Sequence, residues 1–140
     1  MKAIFVDKIT PYLKDVKKRQ RLLGVVFNTI GASMRSIVQI RFAQAKDPDD
    51  KPWTPLKNPR PGKKKKGIPL NKSGLLKRSF YMRATSTYAI VGTNLHYAKY
   101  HDSDKLPRTK IPKRKFTGIT TKMNKQYEGY IKNFIARGRI

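Results

Sequence analysis

One stretch decides the fold class: FYMRATSTYAIVGT, residues Phe80–Thr93. In its first half Phe80, Met82 and Ala84 alternate with more polar residues, which is typical of a half-buried strand. Its second half is rich in aromatic and branched residues, and the polar residues Thr85–Thr87 between the halves predict a turn. The stretch therefore predicts two antiparallel strands.

The residues before this stretch predict a long helix. Apolar residues recur at intervals of three and four from Ile9 to Phe42, interrupted at Gln20. A helix over Pro11–Lys46 would be about 54 Å long at 1.5 Å per residue, whereas a compact chain of this length has a radius of gyration of roughly 14 Å. We therefore expect the helix to break near Gly24 or Gly31, or to project onto another subunit, and we favour projection or a mild kink.

The residues after it predict a C-terminal helix. Its apolar positions follow helical spacing and are Ile119, Met123, Tyr127, Tyr130, Ile131, Phe134 and Ile135. Each helix needs a surface on which to bury its apolar side. We therefore predict an α+β fold, in which a long N-terminal helix and a C-terminal helix pack on a small antiparallel sheet, with Ile90 in the buried face of the sheet.

A proline- and lysine-rich loop separates the first helix from the sheet. Prolines recur between residues 47 and 72, which excludes a regular helix there. The run Gly62–Gly67 contains four lysines, but Ile68 and Pro69 follow where a phosphate-binding loop needs Lys and Ser or Thr. We predict a single domain, divided into a helical region (1–46), an irregular basic arm (47–72), a sheet region (73–118) and a C-terminal helix (119–140).

The charge of the chain is strongly positive. There are 33 Lys and Arg against 8 Asp and Glu, a net charge of +25 over 140 residues, and no acidic residue occurs from Lys51 to His101. Such a field attracts polyanions. The predicted contact residues are Lys63, Lys64, Lys65, Lys66, Lys113, Arg114 and Lys115. Two alternatives stay open, a solvated loop and a weak, nonspecific contact with DNA or with an acidic protein surface.

The residues that enzymes use are scarce. The chain has no cysteine and two histidines, and the acidic group at Asp47, Asp49 and Asp50 lacks the other ligands of a calcium loop. We therefore expect no catalytic site, metal or cofactor. No apolar run reaches the roughly 18 residues that a membrane span requires, and the N-terminus does not have the pattern of a secretory signal.

Trp53 has two interpretations. Tryptophan is enriched at binding hot spots, so Trp53 is a candidate interface residue, but it could equally cover the core. Ile30 and Met34, on the predicted long helix, are further interface candidates.

Several short motifs occur in a characteristic order. They are Arg41-Phe42, Asp47-Pro48-Asp49-Asp50, Pro52-Trp53-Thr54-Pro55-Leu56, Leu70-Asn71-Lys72-Ser73-Gly74-Leu75-Leu76, Val91-Gly92, Tyr97-Ala98-Lys99-Tyr100-His101 and Ile111-Pro112-Lys113-Arg114-Lys115-Phe116, followed by Gly118. This order resembles the phage virion morphogenesis family, the tail completion proteins of contractile-tailed phages, including Mu-like ones. Asp50 stands where the family's turn usually has glycine, a tolerable change because Asp accepts left-handed conformations.

The resemblance implies assembly rather than catalysis. It implies a structural virion protein of the head–tail joint, which is present in the host cytoplasm during assembly. The protein is expected to form a closed ring, a hexamer, that completes the tail and permits head–tail joining. The implied partners are the protein itself and neighbouring neck, terminator or tail proteins, with possible nonspecific DNA contact and no membrane. The alternative is a nonspecific nucleic-acid-binding basic protein, which salt-sensitive binding as a monomer would favour.

Overall fold

The structure, a computed structural model, describes residues 9–58, 67–102 and 111–139, with side chains from Tyr12 onward. Its elements, in chain order, are α1 (Ile9–Arg21), α2 (Gly24–Gln44), α3 (Leu75–Arg78), β1 (Tyr81–Ala84), β2 (Ala89–Gly92), α4 (Ala98–Asp102) and α5 (Thr121–Arg137). Helices at both ends and a small antiparallel sheet between them confirm the predicted α+β class.

The predicted long helix is broken next to Gly24, one of the two positions at which a break was expected. A turn at Leu22 and Leu23 separates α1 from α2, and the two helix axes differ by 44°. The bend is larger than the mild kink that we expected, and α1 does not project. The Arg19 guanidinium donates to the carbonyl oxygens of Ile135 (3.2 Å) and Ala136 (2.6 Å) at the end of α5. The length argument for self-association is therefore lost, because α1 packs within its own chain.

The sheet is the predicted hairpin. β1 pairs antiparallel with β2, with Met82 opposite Val91, and the Thr85 N–H donates to the Tyr88 carbonyl oxygen at 2.9 Å to close the turn. A Cβ on Gly31 of α2 would lie 2.7 Å from the Met82 sulfur. Glycine at this position therefore allows the sheet to pack closely on α2.

The predicted buried face of β2 is wrong. Ile90 lies opposite Arg83 and is 48% exposed, whereas Val91 packs against the core. Side chains alternate across a strand, so only one of two neighbouring residues can face α2. Residues 88–91 are all apolar or aromatic, and their sequence therefore does not show which face is buried.

Ile90→Asp is consequently expected to leave the fold intact, with a change in the free energy of unfolding within about 0.5 kcal/mol, as for most surface substitutions. The matched variant Val91→Asp places an unpaired charge against the core and is expected to unfold the protein. Circular dichroism melting of both variants tests the assignment. A folded Val91→Asp protein beside an unfolded Ile90→Asp protein would reverse it.

The buried side chains form two clusters. The larger joins α2, the loop after it, α3, α4 and the segment before α5, through Val38, Phe42, Trp53, Leu76, Phe80, Ala98 and Phe116. The smaller joins α2 to α5 through Val26, Ile30 and Tyr127. α2 therefore contributes to both clusters and is the central helix of the described part of the chain.

Among the described helices, none is by itself long and apolar enough to cross a membrane. Only α1 and α2 taken together, across their bend, reach the required length and composition.

The turn after α2 explains how Asp50 replaces glycine. Asp50 has φ 63°, in the left-handed region. The Asp47 carboxylate accepts hydrogen bonds from the N–H groups of Asp49 and Lys51, both at 2.9 Å. These bonds hold the turn, and aspartate tolerates its positive φ as the resemblance required.

Candidate functional site

The best-defined polar structure surrounds residues 114–118, which run between α4 and α5 without forming helix or strand. We call these residues the anchored segment. The Asp102 carboxylate, at the end of α4, accepts hydrogen bonds from the N–H groups of Phe116 (2.8 Å) and Thr117 (2.9 Å) and from the Thr117 hydroxyl. One carboxylate thus satisfies three donors that neither a helix nor a sheet would satisfy.

Arg41 of α2 holds the same segment from the other side. Its buried guanidinium donates to the carbonyl oxygens of Phe116 (3.1 Å) and Gly118 (2.9 Å). Burial lowers the pKa of Arg41, and the negative charge of Asp47 acts in the opposite direction. Arginine nevertheless remains charged in proteins, so its bonds to the two carbonyls are charge-assisted.

Arg114 and Trp53 join the anchored segment to the loop after α2. Arg114 is 6% exposed and donates to the carbonyl oxygens of Thr54 (2.9 Å) and Pro55 (3.3 Å). The Trp53 indole N–H donates to the Lys115 carbonyl oxygen at 2.8 Å. Both side chains therefore point into the protein.

These contacts correct three of the predicted binding residues. Arg114 does not face a polyanion, because its guanidinium is used by backbone carbonyls. Trp53 is 5% exposed and fits its second interpretation, as a core residue. Ile30 is buried against α5, so the interface prediction does not hold for it or for Trp53. Met34 is partly buried against the same cluster.

The rest of the predicted polyanion site is divided. Lys113 is exposed and Lys115 is half-buried, and they flank the inward-facing Arg114. The lysines 63–66 lie outside the described residues, so a contact through them stays a prediction.

His101 is the one described side chain with a buried nitrogen that lacks a hydrogen-bond partner, its Nδ1. Burial lowers the pKa of His101, and the positive charge of Arg114 lowers it further. The imidazole is therefore neutral near pH 7. No three His, Cys, Asp or Glu side chains within the described ranges come together in a group that could hold a metal ion.

Two stripes of basic residues, one on α5 and one on α1, are not among the binding residues predicted from the sequence. Lys122, Lys125 and Lys132 lie along the exposed side of α5, opposite the buried Tyr127. On α1 the exposed basic residues are Lys14, Lys17, Lys18 and Arg21. We call these the α5 stripe and the α1 stripe. Their signal is the recurrence of basic residues at helical intervals, which the high overall charge conceals.

The sequence motifs meet in the larger core cluster. Phe42, Trp53, Leu76, Ala98 and Phe116 each come from a different motif, yet all five pack together. The motifs therefore specify packing and backbone anchoring.

A comparison with protein-family models matches residues 5–136 to the phage virion morphogenesis family. Searches of the curated proteins and of the solved structures give no match. The family is a structural one and indicates a virion-associated role. Since the match spans nearly the whole chain and includes every motif that forms the core, the chain belongs to the phage virion morphogenesis family.

Proposed function

We propose that this protein forms a closed ring at the phage head–tail joint, completes the tail and makes it competent to join a filled head. The observation that carries the proposal is the family match over residues 5–136. Within the family's virion role, the ordered motifs of this chain resemble those of tail completion proteins. Neighbouring neck, terminator or tail proteins would then lie above and below the ring.

The outward face of the hairpin supports self-association. Tyr81, Tyr88 and Ile90 are exposed large apolar side chains on or beside the two strands. The inward face of the hairpin packs on α2, whereas both strands are edge strands with unpaired backbone groups. Contact with a second copy would cover the exposed side chains or pair an edge. A ring requires that the contact be heterologous, with different surfaces of each copy meeting.

Electron microscopy of the purified protein, alone and mixed with isolated tails, tests the ring. We expect closed rings for the wild-type protein. For Ile90→Asp we expect a folded monomer, because the substitution places a charge in the proposed contact. Wild-type protein that stays monomeric both alone and in the presence of tails would contradict the proposal.

The role in joining needs a separate test in phage. A phage that lacks this gene is expected to accumulate filled heads and unjoined tails, and wild-type protein added to the lysate is expected to restore joining. Normal particles in the absence of the protein would exclude the proposed role.

A further inference from the structure

The lysines of the α5 stripe share one exposed side of the helix. The intervals from Lys122 to Lys125 and from Lys125 to Lys132 are three and seven residues, which place all three lysines on one side of the helix. The apolar residues of α5, among them Tyr127 and Phe134, lie on the opposite side and pack against α2. The stripe extends over about 15 Å at 1.5 Å per residue.

Gly129 lies in the middle of the α5 stripe. A Cβ at this position would have nothing within 4 Å, so no contact within the described chain requires a glycine. Glycine inside a helix is destabilising relative to alanine. One role of glycine is to let a ligand approach the backbone closely. The glycine between Lys125 and Lys132 would let an extended polyanion lie against the helix.

The same side of α5 lacks the usual core of a protein–protein interface. The exposed large hydrophobic residues of the described chain include none between Thr121 and Arg137. Protein interfaces have apolar, often aromatic, centres that are depleted in lysine. Lysine is instead a flexible point charge suited to phosphates. This composition favours a phosphate backbone over an acidic protein.

α1 carries a second set of exposed basic residues. α1 contacts the end of α5 through Arg19, and Lys17, Lys18 and Arg21 are exposed on the same helix. Each helix has one acidic residue, and each is paired within its own helix: Asp15 with Arg19, and Glu128 with Lys132 at 3.9 Å. Basic residues still outnumber acidic ones by three to one in the α5 stripe and by four to one in the α1 stripe, although Lys18 and Lys125 also lie three residues from Asp15 and Glu128.

We propose that the α5 stripe binds the phosphate backbone of duplex DNA without sequence preference. The proposal uses neither the lysines 63–66 nor the exposed residues of the hairpin, and it does not depend on ring formation. Each lysine that neutralises a phosphate releases condensed counterions, so the affinity falls steeply with salt. Base-reading contacts are not part of this mode, because backbone contacts alone carry no sequence information.

The test compares two triple variants of equal net charge by fluorescence anisotropy with a short duplex of mixed sequence. The stripe variant has Lys122→Gln, Lys125→Gln and Lys132→Gln. The control variant has Lys51→Gln, Lys57→Gln and Lys72→Gln, which neutralise exposed lysines on other surfaces. In the stripe variant we expect the slope of log K against log salt to become shallower by about one for each lysine. In the control the slope should change little.

Three results would overturn the proposal. The first is an absence of duplex binding by the wild-type protein at low salt. The second is an equal loss of DNA affinity in the stripe and control variants, which would mean that net charge alone attracts the DNA. The third is competition by polyglutamate as effective as competition by DNA at equal charge, which would indicate an acidic protein as the partner. Circular dichroism melting checks that both variants are folded. Electron micrographs of the stripe variant show whether it still forms rings, so that a loss of DNA binding can be distinguished from a loss of ring formation.

Discussion

Replacing Phe42 by alanine is expected to lower the free energy of unfolding by about 3–5 kcal/mol. Phe42 is completely buried, and its ring lies 5.1–5.9 Å, between centroids, from those of Trp53, Phe80 and Phe116. Its removal takes a large side chain from the centre of the cluster that joins α2 to the loop and to the anchored segment. The surrounding side chains can fill only part of the cavity.

Urea unfolding followed by tryptophan fluorescence measures this effect, because the single Trp53 is itself in contact with Phe42. A domain of this size is typically stable by about 5–15 kcal/mol, so the expected loss is a large fraction of the total stability. Ile40→Ala is the matched control: Ile40 lies on the same helix and is 51% exposed. We expect that variant to lose less than about 1 kcal/mol. Equal losses in the two variants would show that the buried side of α2 is misassigned.

The parts of the fold that the sequence predicts well are those with local causes. The hairpin over Phe80–Thr93 and the C-terminal helix follow from periodicity. The 44° bend between α1 and α2, and the packing of α1 within its own chain, were not predicted. The contact that holds α1 joins Arg19 to Ile135, more than a hundred residues later in the sequence. The buried face of β2 was misassigned because consecutive apolar residues fit either face.

The candidate site was less predictable because its polar contacts are long-range. Arg114 lies in a run of basic residues and looks like a surface cation in the sequence. Its inward position depends on carbonyls about sixty residues earlier in the chain. Asp102 likewise gave no local sign that it satisfies the backbone of Phe116 and Thr117. The α5 stripe, in contrast, could be found from helical spacing once the helix is known.

Arg41→Met is expected to lower the free energy of unfolding by roughly 2–4 kcal/mol, since each buried polar group left without a partner costs about 1–3 kcal/mol. Methionine has a similar length and fills the space but donates no hydrogen bond. The carbonyl oxygens of Phe116 and Gly118 would both lose the guanidinium. Relief from burying a charge offsets little of this cost, because the carbonyls remain in place without a donor.

The effect of Arg41→Met should be greatest in the anchored segment, which amide hydrogen exchange can resolve. Phe116 and Thr117 donate their N–H groups to Asp102, and these amides should exchange faster once the opposite side of the segment is released. Arg35→Met is the control, because Arg35 is an exposed arginine on the same helix. It should leave both the stability and the exchange of residues 114–118 unchanged. If Arg41→Met has no larger effect than Arg35→Met, Asp102, Trp53 and Arg114 hold the anchored segment without Arg41, and the buried arginine has another purpose.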